Sequence, residues 1–499
     1  MNLVQAFVDT ATTLPEQEAV FWGSDVVRYG ELLAHARAIS HLLRTCHGIQ
    51  PGDRVGLYLK NRPEFITALF GIFSAGAVAV PINSFLKPDE VRHVVSDAGI
   101  RIVLSEEALS EEALSETLSA VQADATALAA WNVESIGELP PSPDEPVVPR
   151  ETSDLAVLLY TSGTTGKPKG AMLTHGNLAH NVESLRQVLL VAEVDRFVLL
   201  LPMFHTFMLT VCVLLPLRTG GSIVLVRSVS PAKAMIHEII ANKGSVLPAM
   251  AALFRALSQL PAEVQLPLRL CISGAGPLPG EILRAFSERF PELPLIEGYG
   301  LTETSPVATV NPVKGRVKAG SIGLPISDVE VSVQDESGQL LPDDVEGEIC
   351  VRGGNVMAGY WNQPEATAAT MRGDWLLTGD IGKRDADGYF FITDRKKDML
   401  KPNGMNVYPR EIEEVIYRFN GIKEAAVIGE PDERRGERAL AFVSLDEGAQ
   451  FNEKALIDFL KEHLADYKVP RRVVVLPALP RNATGKVLKT ALRELAAKA

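Results

Sequence analysis

The chain has 499 residues, 46% of them apolar, with 62 acidic against 49 basic side chains and a net charge of −13. That length is more than one core holds, so two or more domains are expected, and the apolar fraction is enough to fill them. The acidic balance argues against nucleic acid as a partner, and any anion bound here must meet cations gathered in particular motifs.

Four cysteines, Cys46, Cys212, Cys271 and Cys350, stand far apart, with no CxxC pair and no histidine at ligand spacing. They predict reduced core residues of a cytoplasmic protein and no transition-metal site. Residues 1–9 lack the charged n-region and long apolar stretch of a signal peptide. Two apolar runs are long enough to test as membrane spans. Residues 65–82 are broken by Gly71, Gly76 and Pro81, and residues 197–217 by Pro202, His205 and Pro216. Both read as buried pieces of an α/β core.

In chain order, residues 1–50 open with amphipathic helical spacing, then a strand near 19–22, then a helix from Tyr29-Gly30-Glu31-Leu32-Leu33. Pro51-Gly52-Asp53 turns into a strand at 55–59. A helix over 63–74, a glycine break and a strand at 78–80 complete a βαβ unit, hence a parallel sheet. Residues 105–119 repeat Ser-Glu-Glu-Ala-Leu and suit a solvated surface helix, and residues 139–149 form a proline-rich connection.

The apolar strand 155–159 then feeds Tyr160-Thr161-Ser162-Gly163-Thr164-Thr165-Gly166-Lys167-Pro168-Lys169-Gly170. Polyphosphate binding needs this chemistry: glycines let backbone N–H groups approach, hydroxyls donate, and lysines supply charge. A surface loop could share the composition. It is not the P-loop of ordinary NTPases, because Gly166-Lys167 is followed by Pro168 and Gly-Lys-Ser/Thr occurs nowhere in the chain. Thr174 is placed to cap a helix beginning Thr174-His175-Gly176-Asn177-Leu178, whose N-terminus would favour nearby phosphates.

A strand at 197–201 leads to Pro202-Met203-Phe204-His205-Thr206-Phe207, where a lone histidine among apolar residues is most simply a satisfied core residue. The buried strand 268–273 ends in Gly274-Ala275-Gly276, small enough for a planar ring to approach the backbone. Glu297-Gly298-Tyr299-Gly300-Leu301-Thr302-Glu303 follows. An alternating, turn-rich stretch from Gly320 through 347–353 to Asp380 predicts a small β subdomain. Asp394-Arg395-Lys396-Lys397-Asp398 has the composition of a solvated turn. About a hundred residues then alternate helix and strand, enough for an α+β domain, and near their end stands Pro480-Arg481-Asn482-Ala483-Thr484-Gly485-Lys486.

These strings, in this order and over essentially the whole chain, resemble the signatures of the adenylate-forming superfamily of acyl-CoA synthetases, luciferases and peptide-synthetase adenylation domains. Within it the likeness is greatest to bacterial long-chain fatty acyl-CoA ligases. The resemblance implies an α/β fold. A large N-terminal domain, 1–393, would combine mixed α/β sheets with the small β subdomain and bind ATP and the acyl group. Residues 394–397 would be a hinge with Lys397 as pivot, and 398–499 a small mobile α+β lid.

The nucleotide set implied is Thr161, Ser162, Gly163, Thr164, Thr165, Gly166, Lys167 and Lys169 on the phosphates. Gly274, Ala275 and Gly276 would lie over one face of the adenine, with Tyr299 and Gly300 against it and Thr302 on the AMP phosphate. Asp380 and Arg395 would hold the ribose. Glu303 and Thr161 would bind Mg²⁺, for which a hard carboxylate is suited. His205 and Gly298 would stand at the acyl end, with Gly298 and Gly300 leaving room beside Tyr299. Gly404 and Met405 would enter for thioester formation, and Lys486 would bridge the carboxylate and α-phosphate.

The implied reaction is carboxylate plus ATP giving acyl-AMP and pyrophosphate, then acyl-AMP plus CoA giving acyl-CoA and AMP. Residues 204–212 contain no carboxylate to hold an amino acid's ammonium, so an uncharged acyl group is expected, and the likeness to bacterial fatty acyl-CoA ligases implies a medium or long chain. An acyl-AMP ligase loading a carrier protein, a ligase for aryl or other acids, a luciferase-like oxidase and a noncatalytic sensor are the competing readings. Peripheral membrane contact and a homodimer are compatible with the resemblance.

Overall fold

The computed structural model describes residues 3–106, 129–133, 136, 139, 145–161, 168–396, 398–402, 405, 407–432, 436–481 and 487–498. From residue 107 onward, the helix expected at 105–119 lies outside them.

Apolar strands that can be covered on both faces pair in parallel. Arg54–Tyr58, Val78–Pro81, Ile100–Ser105 and Leu155–Thr161 do so within a six-stranded sheet, with Val55 opposite Ala79 and Ile102, and Ala79 opposite Val157. Between the first two of these strands runs the helix Pro63–Ser74, with proline in its first turn and every residue from Phe65 to Ser74 buried. It packs closely on the helix Tyr29–His41, and a Cβ at Gly71 would lie 2.6 Å from Ile39. The run 65–82 is thus a buried helix, turn and strand. Among the described residues no helix is long and apolar enough to cross a membrane.

The second sheet has nine strands and fixes the site's position. Arg196–Leu199 pairs in parallel with Ser222–Leu225 on one side and Val246–Ala249 on the other; Leu270–Ser273 and Leu295–Gly300 continue outward from the latter. The strand order therefore reverses beside Arg196–Leu199. At such a reversal the loops leaving the carboxyl ends of the strands diverge and open a crevice. The segments leaving here carry Met203 to Phe207, Met250 with the helix that starts at Ala251, and Gly274 to Gly276.

The β subdomain is larger than the sequence suggested. Val329–Gln334, Gly347–Gly353, Trp375–Arg384 and Met371–Arg372 form an antiparallel sheet, and Phe390–Arg395 pairs with Trp375–Arg384, so it runs past Asp380 to Arg395. Beyond it the strands Ile422–Asp432, Gly436–Leu445 and Arg472–Val475 form a sheet with the helices Pro409–Ile416, Glu453–His463 and Lys489–Lys498. These residues close their own core around Leu400, Ile412, Val427 and Leu460, as a separate domain should. One cysteine departs from expectation: Cys212, Cys271 and Cys350 are buried, but Cys46, ending the turn Leu42–Cys46, is exposed.

Candidate active site

A cavity of about 880 Å³ lies in the crevice, walled by the large domain, the β subdomain and the C-terminal domain. Its polar end is tied together before any ligand is considered. Asp380 and Arg395 stand opposite each other on neighbouring antiparallel strands, where side chains meet, and Arg395 Nε lies 3.1 Å from Asp380 Oδ1. The Tyr299 hydroxyl donates to Asp380 Oδ2 at 2.6 Å. Burial, followed by the Asp380 charge, pushes the Tyr299 phenol well above its ordinary range. Burial acts to lower Arg395, but Asp380 and its other neighbours outweigh it and the guanidinium is held more firmly charged.

The strand Leu155–Thr161 returns as Lys169–Thr174, with Thr161 opposite Lys169, so both ends of the predicted phosphate loop enter the cavity together. Lys169 Nζ stands 5.3 Å over the Tyr360 ring, and the Tyr360 hydroxyl donates to Glu303 Oε1 at 2.7 Å. Thr302 begins the short turn Thr302–Thr304, and its hydroxyl accepts from Thr206 at 3.1 Å. Ser162, Gly163, Thr164, Thr165, Gly166 and Lys167 lie outside the described residues, as do Lys397, Gly404 and Lys486.

Thr174 does cap the helix His175–Val188, accepting from the Asn177 N–H at 3.0 Å. The expectation that this helix starts near the phosphates is overturned. Leu155 is opposite Thr174, so the returning strand carries the helix start to the far end of the hairpin. There the His175 and Gly176 N–H groups bond to the carbonyls of Asp154 and Thr152, and His175 is buried against Phe73, 5.7 Å between ring centroids.

On the His205 side the lining becomes apolar, with Leu185, Leu189, Phe207, Val211, Val310 and Ile322. His205 Nδ1 accepts from the Phe207 N–H at 3.3 Å. Gly274 lets the Phe207 ring approach, since a Cβ there would lie 2.9 Å from it; Ala275 takes φ +62°, and a Cβ at Gly276 would meet nothing within 4 Å. Gly300 does not leave room beside Tyr299: a Cβ on it would lie 1.8 Å from the Pro306 carbonyl oxygen, so the space is filled by backbone. Gly298 is the open one, where a Cβ would come no nearer than 3.6 Å to any atom.

The third wall belongs to the C-terminal domain. Arg481 and Val487, which flank the Lys486 segment and form a bridge with each other, line the cavity, whereas Met405 is 40% exposed and outside it. Nearby stand groups the sequence reading did not single out. Lys489 pairs with Glu413 at 3.0 Å; burial would lower its pKa, but Glu413, Asp394 and Asp398 hold it above the usual lysine range. Glu297, 4% exposed, is pushed up to about 7 by burial, with Arg410 and the Leu278 N–H opposing and Glu414 reinforcing. Two residues separate Lys489 from Lys486, and Glu297 opens the Glu297-to-Glu303 string, so both were within reach of those motifs. Tyr360 stood in Gly359-Tyr360-Trp361 with only an aromatic pair after a glycine to mark it.

A crevice at a strand-order reversal, with a phosphate-type hairpin and a tyrosine–carboxylate–arginine cluster, defines a nucleotide-dependent enzyme of two unequal domains. The family model for AMP-binding enzymes matches residues 7–361, and that for the C-terminal domain of AMP-binding enzymes matches 411–486; the chain belongs to this family. It is 35% identical over 494 residues to a feruloyl-CoA synthase of Amycolatopsis sp, covering 97% of each chain. It is 32% identical over 535 residues to a long-chain-fatty-acid–CoA ligase of Bacillus subtilis strain 168, covering 99% of this chain and 94% of the other. Among solved structures, ATP-bound MatB from Rhodopseudomonas palustris superposes with a TM-score of 0.91 at 33% identity, covering 99% of each chain; apo MatB gives 0.80. Within the family the chain is an AMP-forming acid–thiol ligase, with ATP and CoA as co-substrates and a small-molecule acid as the third. The acid is an acyl or aryl carboxylate.

Proposed function

We propose that the acid is a fatty acid of medium or long chain, its acyl chain uncharged, activated as acyl-AMP and transferred to CoA. The observation that carries this is the apolar wall of Leu185, Leu189, Val211, Val310 and Ile322 beside His205, with no carboxylate or cation among them. Such a wall stabilises each buried methylene by about 0.8 kcal/mol, so affinity should grow with chain length until the cavity ends.

In the first half-reaction charge builds on the α-phosphate and departing pyrophosphate, and positioned cations and donors are what lower that barrier. Lys169, Thr302, the 162–167 loop and Lys486 are assigned to this. Tyr299, Asp380 and Arg395 hold adenine and ribose, and Gly274 to Gly276 flank the ring. Glu303 and Thr161 are hard oxygen donors in one cavity, a fit for Mg²⁺, which keeps several waters and takes further ligands from phosphates. When bound, Mg²⁺ would neutralise phosphate charge.

Lys486 cannot stay on the phosphate while thiol attacks, so the C-terminal domain reorients about 394–397 and exchanges the Lys486 segment for the one holding Gly404 and Met405. The boundaries 1–393 and 398–499 are part of this proposal; the β subdomain sheet runs two residues past 393, to Arg395, and the C-terminal core includes Leu400. The arrangement described, with Arg481 and Val487 in the wall and the higher TM-score to ATP-bound MatB, supports an adenylating state.

The test is CoA-dependent AMP release over a panel of acids. The expected kcat/KM rises from hexanoate towards dodecanoate or longer, with acetate and free amino acids poor. The likeness to feruloyl-CoA synthase favours an aromatic acid as the second reading, and ferulate, benzoate and 4-coumarate belong in the panel. If any of them, or acetate, outperforms every fatty acid, the fatty-acyl assignment is wrong.

A further inference from the structure

The helix Ala251–Ser258 leaves the strand Val246–Ala249 at the reversal point, so its side chains border the cavity mouth. Arg255 reaches from it across to the C-terminal domain. Its Nη2 donates to both carboxylate oxygens of Asp446, at 2.7 and 2.8 Å, and to the Ile422 carbonyl at 3.1 Å; Nη1 donates to the Lys423 carbonyl at 3.0 Å. These acceptors form the base of one hairpin. Ile422 starts the strand Ile422–Asp432, and Asp446 follows Gly436–Leu445 and donates its own N–H to the Gly421 carbonyl at 3.0 Å.

A planar guanidinium with several donors fixes orientation as well as distance, so one side chain registers the hairpin against the large domain. A second contact acts alongside it: the Glu414 carboxylate accepts from the N–H of Gly280, the first residue of the helix Gly280–Arg289. Each of these side-chain bonds of Arg255 ends on the other domain, and none serves the packing of its own. The side chains of Arg255 and Asp446 are 24% and 39% exposed. Pairs this open to water shift an equilibrium by only a few-fold, enough to bias two arrangements and weak enough to release at every turnover.

We propose that Arg255 and Asp446 form a latch that holds the C-terminal domain where Arg481 and Val487 line the cavity, and that this pair opens before the thioester step. The proposal rests on the reading that this domain reorients between the half-reactions. Arg255 is then a positioning residue, acting through the domain it holds.

The experiment measures pyrophosphate–ATP exchange and, separately, single-turnover thioester formation from supplied acyl-AMP and CoA. Arg255→Ala and Asp446→Asn should each slow exchange by about 3- to 5-fold while leaving the thioester step unslowed. The double exchange Arg255→Asp with Asp446→Arg should recover at least half of the lost ratio. Raising salt from about 0.05 to 0.5 M should move the wild-type ratio in the same direction by screening the pair, and should not move that of Arg255→Ala. A ratio within twofold of wild type in both single variants overturns the latch, as does an equal fall in both half-reactions that the double exchange fails to restore. Lys486→Ala separates the two levels of the argument. If it affects both half-reactions equally, the reorientation reading falls and the latch with it; if it suppresses exchange alone while the Arg255 and Asp446 variants match wild type, only the latch falls.

Discussion

The two ends of the cavity are built from opposite materials. At the nucleotide end Tyr299, Asp380 and Arg395 bond to one another, and Tyr360 bonds to Glu303, so each group is aimed by a protein partner. At the acyl end Leu185, Leu189, Val211, Val310 and Ile322 offer only shape. Under the proposed function, the chemistry common to many acids rests on a few directional residues. On the same reading, choice of acid rests on volume, spread over many side chains.

Mutations at the two ends should differ in size and in what they spare. The largest effect is expected for Asp380→Asn, which leaves the half-buried Arg395 and Tyr299 without their carboxylate. Losing a charged hydrogen bond of this kind costs about 1.5–3 kcal/mol. KM for ATP should rise by roughly 10- to 100-fold, with KM for the acid changed less than about threefold; equal losses for both substrates would break the division of the cavity. At the other end Leu185→Ala should leave KM for ATP unchanged and shift the preferred chain one or two carbons longer, each methylene being worth about fourfold. A chain-length profile identical to wild type would show that Leu185 is no part of the acyl wall.

The smallest effect concerns Glu297. Its carboxyl is raised from 4.5 to about 7 by burial, so the folded protein binds more protons than the unfolded chain between those values and loses stability as pH rises through that window. The stabilising contribution is full below 4.5 and gone above 7. Glu297→Gln can still accept from the Leu278 N–H but has no such dependence. Without ligands its melting temperature relative to wild type should rise between pH 5 and pH 8 by about a few degrees, given ~3 kcal/mol at most. A constant difference across that range would place the titration elsewhere.

Local signals in the sequence were strong where one stretch settles its own structure. Pro63 and Gly76 bracket a helix at the expected residues, Thr174 caps where a threonine before a helix should, and the 54–81 unit is parallel as predicted. Tertiary context decided the rest. The start of the helix His175–Val188 follows the phosphate loop closely in sequence, yet six residues of strand at about 3.3 Å each carry it roughly 20 Å away. Gly300 suggested open space, but a glycine needed for close packing and one that opens a pocket look alike in a sequence. Arg255 and Asp446 are 191 residues apart, with no local pattern to join them. The strings around Tyr299 and Asp380 come together at one end of the cavity, joined by directional bonds that need fixed residue types; no comparable string marks the apolar wall, which any apolar residue of suitable volume can build.

The exposed thiol of Cys46 gives the protein a chemical handle of its own. Burial pushes the thiols of Cys212 and Cys271 far above the ordinary range and that of Cys350 up to about 12, so at neutral pH none of the three offers an accessible thiolate to an alkylating dye. A maleimide fluorophore should therefore attach to the native sequence at one position on the large domain, with no cysteine removed. Adding Glu462→Cys, at an exposed site on the helix Glu453–His463 of the C-terminal domain, would supply the second dye of an energy-transfer pair, and the proposed reorientation of one domain against the other could then be followed during turnover.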